Sequence, residues 1–483
     1  MEFLTASDVW FGRVLFERGL ASLYLLAFVV ARNQFPALLG ERGLLPVPEF
    51  LRKTNFASHP SIFHWRYSER FFALVAWIGI LVSIAILCGA MAKAPVGVPV
   101  AVWLFLAFLY LSIVNVGQRF YSFGWETMLV EAGFFAAFLD PEWIQPSILP
   151  ILMLRWMLFR VELGAGLIKI RAGGTWKDRT ALYYHHETQP MPNPLSRFAH
   201  LLIPKVALRG GVVFSHFVQI IVPFGLFLPQ PVAGIAGGLI IFHQMLLIIF
   251  GNYSWLNWLT VVLAFSTLPD VWFSWIAPMI PAGMGDRPLA WEVIVISVFL
   301  LTAYLSVPVV KNLCSRRQLM NSSFNRWRIV NTYGAFGSVT KERYEIIIEG
   351  TAENRRATEE NWLPYEFKGK PGNPIRIPPI VAPYHLRLDW LMWFLPLRVP
   401  LTATGIAVRG YEDWFIEFVK KLLQGDEATL RLIKENPFPD RPPKYIRARF
   451  FRYTFASMGS GKTWDRKWIG DYLEPVDLES LSR

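Results

Sequence analysis

The stretch "FFALVAWIGILVSIAILCGA" (residues 71–90) holds twenty residues in a row without a charge. At about 1.5 Å of rise per residue, a helix of this length spans the roughly 30 Å hydrocarbon core of a bilayer. It has three clear companions: "VGVPVAVWLFLAFLYLSIVNV" (96–116), "GVVFSHFVQIIVPFGLFL" (211–228) and "WEVIVISVFLLTAYLSVPVV" (291–310). Weaker candidates are 17–39, 125–139, 148–171, 232–250 and 255–280. The segment 125–139 is short, and either re-enters the same face or continues into the next helix across Pro141. The expected fold class is therefore a polytopic α-helical membrane protein with eight or nine membrane helices.

Composition agrees with that reading. Only 17% of the 483 residues are charged, against about a quarter in soluble proteins, and the apolar runs end near residue 311. The expected division is a membrane domain over 1–311, a linker over 312–323 and a C-terminal α+β extramembrane domain over 324–483. A formal net charge of +12 suits anionic headgroups and basic loops. No nucleic-acid motif accompanies it, so membrane lipids are the expected partners and nucleic acid is not. The charged N-terminal residues leave no room for the apolar core of a cleaved signal. Two cysteines, Cys88 and Cys314, give no disulfide framework.

In the C-terminal part, "RYEIIIEGT" and "WLPYEFKGKPG" read as a hairpin, and "LDWLMWFLPL" and "EDWFIEFVKKLLQGD" as amphipathic helices, the second stopped by Gly425. "KYIRARFFRYTF" alternates at period two, as a half-buried strand does. "GSGKT" (459–463) lacks the first glycine of a phosphate loop, because position 456 is Ala. No Ser-His-Asp arrangement or G-x-S-x-G elbow marks the chain as a hydrolase.

The candidate chemistry lies in "ILMLRWMLFRVELGAGLIKIR" (151–171), which sets Arg155, Arg160, Glu162 and Lys169 in an otherwise apolar helix. Each ionised group near the bilayer centre costs at least about 2.5 kcal/mol on insertion scales. Arg155, Glu162 and Lys169 follow at seven-residue steps, a spacing that drifts only about 20° per step and so keeps them on one stripe. Gly164 and Gly166 permit close approach of a neighbour. Two readings stand open. In one, Glu162 neutralises Arg160 or Arg155 and Lys169 snorkels to the interface. In the other, the charges floor an intramembrane pocket in which desolvated Lys169 acts as a base. Glu126, in the polar island "NVGQRFYSFGWETMLVEAG" (115–133), is expected to face the arginines of this helix.

"YYHHETQPMPNP" (183–194) adds His185, His186 and Glu187. Adjacent histidines point about 100° apart on a helix and to opposite faces of a strand, so they do not converge on a metal, and no metal site is expected. The proline run reads as an extended lid over a membrane cavity, with His185, His186 and Glu187 at its rim. In "PYHLRLDW", Tyr384, Arg387, Asp389 and Trp390 form either a partner-binding surface or a corner docked on the membrane domain.

"RFYSFGWETMLVEAGF", "LRWMLFRVELGAGLIKIRAGGTWKDRTALYYHHETQPMPNPLS", "GNYSWLNWLT", "YEFKGKPGNP", "VAPYHLRLDWLMWF" and "NPFPDRPPKYIRARFFRYTF" together resemble the lipase maturation factor family, in order and nearly end to end. The resemblance implies a multi-pass membrane protein that helps exported proteins such as secreted lipases to fold. It implies residence in the endoplasmic reticulum membrane for eukaryotic relatives and in the inner membrane for a bacterial-type member. Where the animal proteins carry cysteines this chain has Thr175, Ala181 and Gly369, so a redox role does not carry over, and no cofactor is expected. A more distant resemblance links "GAGLIKIRAGGTWKDRTAL" to vitamin K-dependent γ-carboxylases and their HTTM relatives, and sets Lys169 on the lysine taken as catalytic base there. Two functions follow as expectations: a maturation factor, or a membrane enzyme acting on a lipid or peptide with Lys169 as base.

Overall fold

A computed structural model describes residues 5–6, 8–279, 284–403 and 405–481. Among these, six helices are long and apolar enough to cross a membrane: α1 (Trp10–Leu39), α2 (Glu69–Leu87), α3 (Gly97–Val116), α8 (Lys205–Gly225), α9 (Val232–Phe250) and α11 (Leu289–Cys314). Between them lie α4 (Gly124–Ala136), α5 (Ile148–Ala172), α6 (Leu182–Thr188), α7 (Pro194–Leu202) and α10 (Leu256–Ala264). Ser68 and Ser147 start α2 and α5 by accepting hydrogen bonds from Phe71 N (3.1 Å) and Leu149 N (3.4 Å), which satisfies donors that a helix end leaves open.

Two of the weaker span candidates differ from expectation. The 125–139 segment stops at Ala136 and does not run on across Pro141. The chain turns instead, with the Asp140 carboxylate accepting from Ser147 N (2.6 Å) and Trp291 Nε1 (2.8 Å). The 255–280 segment is broken: α10 ends at Ala264, one turn of 3-10 helix runs to Thr267, and a second begins at Asp270 after Pro269. The Asp270 carboxylate is drawn to the start of α1, where it accepts from Trp10 N (2.9 Å) and Phe11 N (2.8 Å). A carboxylate at a helix N-terminus is favoured by both the open N–H groups and the helix dipole.

The C-terminal part forms a four-stranded antiparallel sheet in the order β2-β1-β3-β4, from β1 (Arg343–Thr351), β2 (Leu363–Pro364), β3 (Tyr445–Phe455) and β4 (Trp464–Val476). The expected hairpin exists only as the two-residue β2, with Glu349 opposite Pro364. The main partner of β1 is β3, in register from Arg343 opposite Tyr453 to Thr351 opposite Tyr445. "GSGKT" forms the turn into β4, with Gly459 and Gly461 at positive φ (85° and 76°). Helix α13 (Asp413–Gln424) buries Phe415, Phe418 and Leu422 and ends at Gly425 in the left-handed region (φ 66°).

The helix α12 (Arg387–Phe394) is not a surface amphipathic helix. It is buried along Arg387–Met392 and plugs the module into the membrane domain. Arg387 Nη1 donates to Glu126 Oε1 (2.8 Å) and to the Phe120 carbonyl (2.7 Å), and its guanidinium lies 3.5 Å from the Tyr121 ring centroid. Gln34 Nε2 donates to the His385 carbonyl (2.6 Å) and Gln34 Oε1 accepts from Arg387 N (3.0 Å). Trp390 packs on Trp125 at 4.9 Å. Asp389 accepts from Gly369 N (2.6 Å) and Lys370 N (3.0 Å). Of the four partner-binding candidates only half-buried Tyr384, which accepts from Asn33 Nδ2 (3.4 Å), reaches solvent; Arg387, Asp389 and Trp390 are internal. The docked corner replaces the external partner surface, because a buried arginine needs the carboxylate that Glu126 supplies. For the same reason Glu126 faces Arg387, not the arginines of α5.

Removing one partner of a fully buried ion pair leaves the other charge stranded, typically at a cost of about 3–5 kcal/mol. Arg387→Met should therefore lower the melting temperature of the detergent-solubilised chain strongly, and Arg387→Met with Glu126→Gln should recover part of the loss. An unchanged melting curve in the single variant would remove this pair from its place in the fold. His385 carries a second test. Burial, and then the neighbouring Arg387 charge, push it down to about 4, with Glu126 opposing. It stays neutral in the folded chain, whereas the unfolded chain takes up a proton near pH 6.5. Stability is thus highest above pH 6.5 and falls as pH drops toward 4, by at most about 1.4 kcal/mol per pH unit for this group. Melting measured from pH 7.5 to 5 should show that fall, and a shallower one in His385→Gln.

Candidate functional site

The charged helix α5 crosses the interior of the helix bundle with Arg155, Arg160, Glu162 and Lys169 all buried. Its four charges solve the burial problem in three different ways. Arg155 donates to the Leu226 carbonyl (3.3 Å) and the Ser266 carbonyl (3.4 Å), where α8 and α10 end. Arg160 pairs with Glu131 of α4 and donates to the Asn331 carbonyl (2.6 Å). Glu131 in turn accepts from Asn331 N (2.9 Å) and from the Tyr333 hydroxyl (2.6 Å). The ion network is real for Arg160, but its carboxylate is Glu131, and residues 331–333 complete it.

Glu162 and Lys169 do something else. Among the described residues neither is bonded to an arginine, and Lys169 does not snorkel. Lys169 Nζ donates to Gln219 Oε1 (2.7 Å), stands 3.5 Å from Ser215 Oγ and lies 4.5 Å from the Trp176 ring centroid. Glu162 Oε1 accepts from Gln244 Nε2 (2.6 Å). Gln219 belongs to a π-helical turn, Phe217–Ile221, inside the α8 span. Such turns widen a helix locally and recur at functional sites. Gly164 and Gly166 make this proximity possible. A Cβ at Gly166 would sit 2.9 Å from the Gln219 carbonyl oxygen, and one at Gly164 would collide with that of Tyr333.

Glu162 and Lys169 share a cavity of about 220 Å³ with His185, His186, His243 and Tyr253. Of the 183–194 stretch, His185 and His186 reach the cavity. His185 Nε2 lies 2.8 Å from the Tyr253 hydroxyl. Burial, then the charge of a neighbouring imidazole, pushes His185 down to about 3 and His186 to about 4, so both are neutral near pH 7. Among the described residues no group of three His, Cys, Asp or Glu gathers at metal-ligand spacing.

Glu187 departs from the expected rim. Its Oε2 accepts from Phe455 N (2.7 Å) and faces His200 Nε2 at 3.6 Å, which ties α6 to strand β3. The proline run is a clamp more than a lid: Arg343 of β1 donates to the carbonyls of Glu187 and Pro190 (both 3.0 Å). Asn193 then caps α7 in a capping box with Ser196. A second recess of about 640 Å³ lies where the membrane domain meets the C-terminal module, and shares His185 and Phe336 with the first. Sequence reasoning missed Ser215, Gln219, His243, Gln244 and Asn257, which also line the first cavity. Their signal was present as polar residues inside apolar helices, but uncharged side chains are cheaper in a membrane than charged ones and stand out less.

The comparisons with known proteins cover both halves of this arrangement. A family model described as the lipase maturation factor transmembrane domain matches residues 11–275, and one described as the lipase maturation factor C-terminal domain matches residues 329–474. Lipase maturation factor 1 of Mus musculus is 40% identical, over 99% of this chain and 89% of that protein. The Homo sapiens protein of the same name is 40% identical, over 99% and 90%. Lipase maturation factor 2 of Gallus gallus is 27% identical, over 96% and 81%. No solved structure matches. With two matched domains in the same order and a full-length likeness at this identity, the chain belongs to the lipase maturation factor family.

Proposed function

We propose that the chain is a membrane-embedded maturation factor for exported proteins, with secreted lipases as its client class. The full-length likeness to lipase maturation factor 1 carries this reading. The buried contacts that join the C-terminal module to the membrane domain support it, since a client held by one is positioned against the other. The domains of this reading are a membrane domain over 1–311, a linker over 312–323 and a module over 324–483 that contacts the client. The membrane is the endoplasmic reticulum in a eukaryotic host and the inner membrane in a bacterial one. Deleting the gene should lower the folded, active yield of exported lipases several-fold while their transcripts stay constant, and an unchanged secreted proteome would sink the proposal.

The same reading takes nine segments through the membrane: the six long apolar helices together with α4, α5 and α10. The support is that the two ends of α1 meet different faces of the bundle. The start of α1 meets Asp140 and Asp270 at one face through Arg13 and Trp10, while its end meets His385 at the other through Gln34. An odd count puts the two termini on opposite sides. Reporter fusions at the N-terminus and C-terminus should therefore report opposite compartments, and identical reports would require an even count.

A second reading, a membrane enzyme with Lys169 as base, draws on the cavity around Glu162 and Lys169. It requires Lys169→Ala to abolish activity on a lipid or peptide with melting intact. A joint loss of stability and function instead assigns Lys169 to the scaffold.

A further inference from the structure

We propose that the cavity between α5, α8 and α9 binds a lipid whose head donates hydrogen bonds and carries no net charge, such as an acylglycerol or an ethanolamine lipid. The inference rests on the polar atoms that the fold leaves unmatched there. Glu162 Oε2, Gln244 Oε1, His243 Nδ1, His186 Nδ1 and Asn257 Nδ2 are buried and have no hydrogen-bond partner among the described residues. All five residues line this one cavity, and each is more than nine-tenths buried. Buried polar groups are almost always paired in folded proteins, and a cluster of exceptions calls for an explanation.

The chemistry of the unmatched atoms selects the ligand. The Glu162 and Gln244 oxygens lack a donor, while the Asn257 amide nitrogen lacks an acceptor, which an oxygen of the same head supplies. The ammonium of Lys169 is already held by Gln219 and the Trp176 ring, so no free cation awaits an anionic head. Glu162 and Lys169 are one acid and one amine, so whether ionised together or neutral together they leave the site without net charge to balance a ligand of either sign. A hydroxyl- or ammonium-bearing head fits these demands.

The rest of the ligand is argued from the walls. Val161, Ala165, Leu208, Leu246, Leu247 and Phe250 are apolar and enclose the space beside the polar floor. The two outer walls, α8 and α9, turn Val213, Phe217, Phe242, Met245 and Ile249 outward as exposed apolar side chains, the surface a bilayer covers. The cavity thus lies one layer of side chains from the lipid phase, with a polar end that a hydrocarbon chain alone would not satisfy. The proposal stands apart from the maturation reading, and either can fail without the other.

Native mass spectrometry of the detergent-purified full chain tests it with four probes. Monooleoylglycerol and dioleoylphosphatidylethanolamine carry head donors; methyl oleate and dioleoylphosphatidylcholine match them closely but carry none. The expected result is saturable one-to-one binding of at least one donor lipid, about tenfold tighter than its donor-free counterpart. Binding of the first alone assigns a hydroxyl head, and binding of the second alone an ammonium head. Glu162→Leu should weaken that binding about tenfold, and Ala165→Leu, which fills the space, should weaken it as well. Should Glu162→Leu fail to fold, as judged by its melting curve, Gln244→Leu carries the same test. Equal binding of all four probes, absence of binding by both donor lipids, or full retention in the folded variants overturns the proposal.

Discussion

Charge that enters a membrane domain has to find its partner there, and most of this architecture follows from how α5 meets that demand. Arg160 and Glu131 are fully buried and paired across two helices. Further hydrogen bonds come from Asn331 and Tyr333, which lie beyond the last membrane helix. A pair of charges in low dielectric is better tolerated when more of its spare lone pairs and protons find partners. The segment after α11 is therefore packed into the helix bundle, although its composition is that of a soluble loop. Glu126, five residues earlier on α4, is paired with buried Arg387. Two carboxylates of one short helix thus hold two separate parts of the C-terminal region.

This double attachment explains why the molecule is one unit and not a membrane domain with a tethered module. Arg343 extends the same logic to the sheet, paired with Glu345 and donating to carbonyls of the 187–190 turn. The positions of His185 and His186 follow from it. They sit on a short helix whose far end is clamped to β1 and β3, so the cavity wall they form is braced by the module. The cavity is consequently bounded by both matched domains: Tyr333 and Phe336 come from one side of the join and Glu162 and Lys169 from the other.

Membership of the lipase maturation factor family was legible from long sequence words, because full-length likeness preserves order over hundreds of residues. The individual contacts were less legible. Glu126 was expected to meet an arginine and does, but Arg387 lies 261 positions away, a separation that no local periodicity encodes. The seven-residue stripe of Arg155, Glu162 and Lys169 correctly placed the last two in one space. It could not show that Arg155 ends on backbone carbonyls instead. Glu187 read as a rim residue because it adjoins two histidines, but the neighbour on a helix points elsewhere, and here it points at β3.

What the residues determined by themselves is the class of the protein. Hydrocarbon admits only chains that satisfy their own backbone, so runs of twenty uncharged residues leave few alternatives to membrane helices. Local chemistry also determined the Gly425 cap and the period-two strand at 445–455, since each depends on neighbours within one element. The tertiary structure alone decided which charges pair, that "LDWLMWFLPL" is an internal plug, and that Glu162 and Lys169 stay free of the ion network to line a cavity. The physical reason is that pairing and enclosure are properties of distance in space. Electrostatic energy in a low-dielectric interior depends on which groups come within a few ångströms, and only the packed bundle brings residues 126 and 387, or 160 and 331, that close.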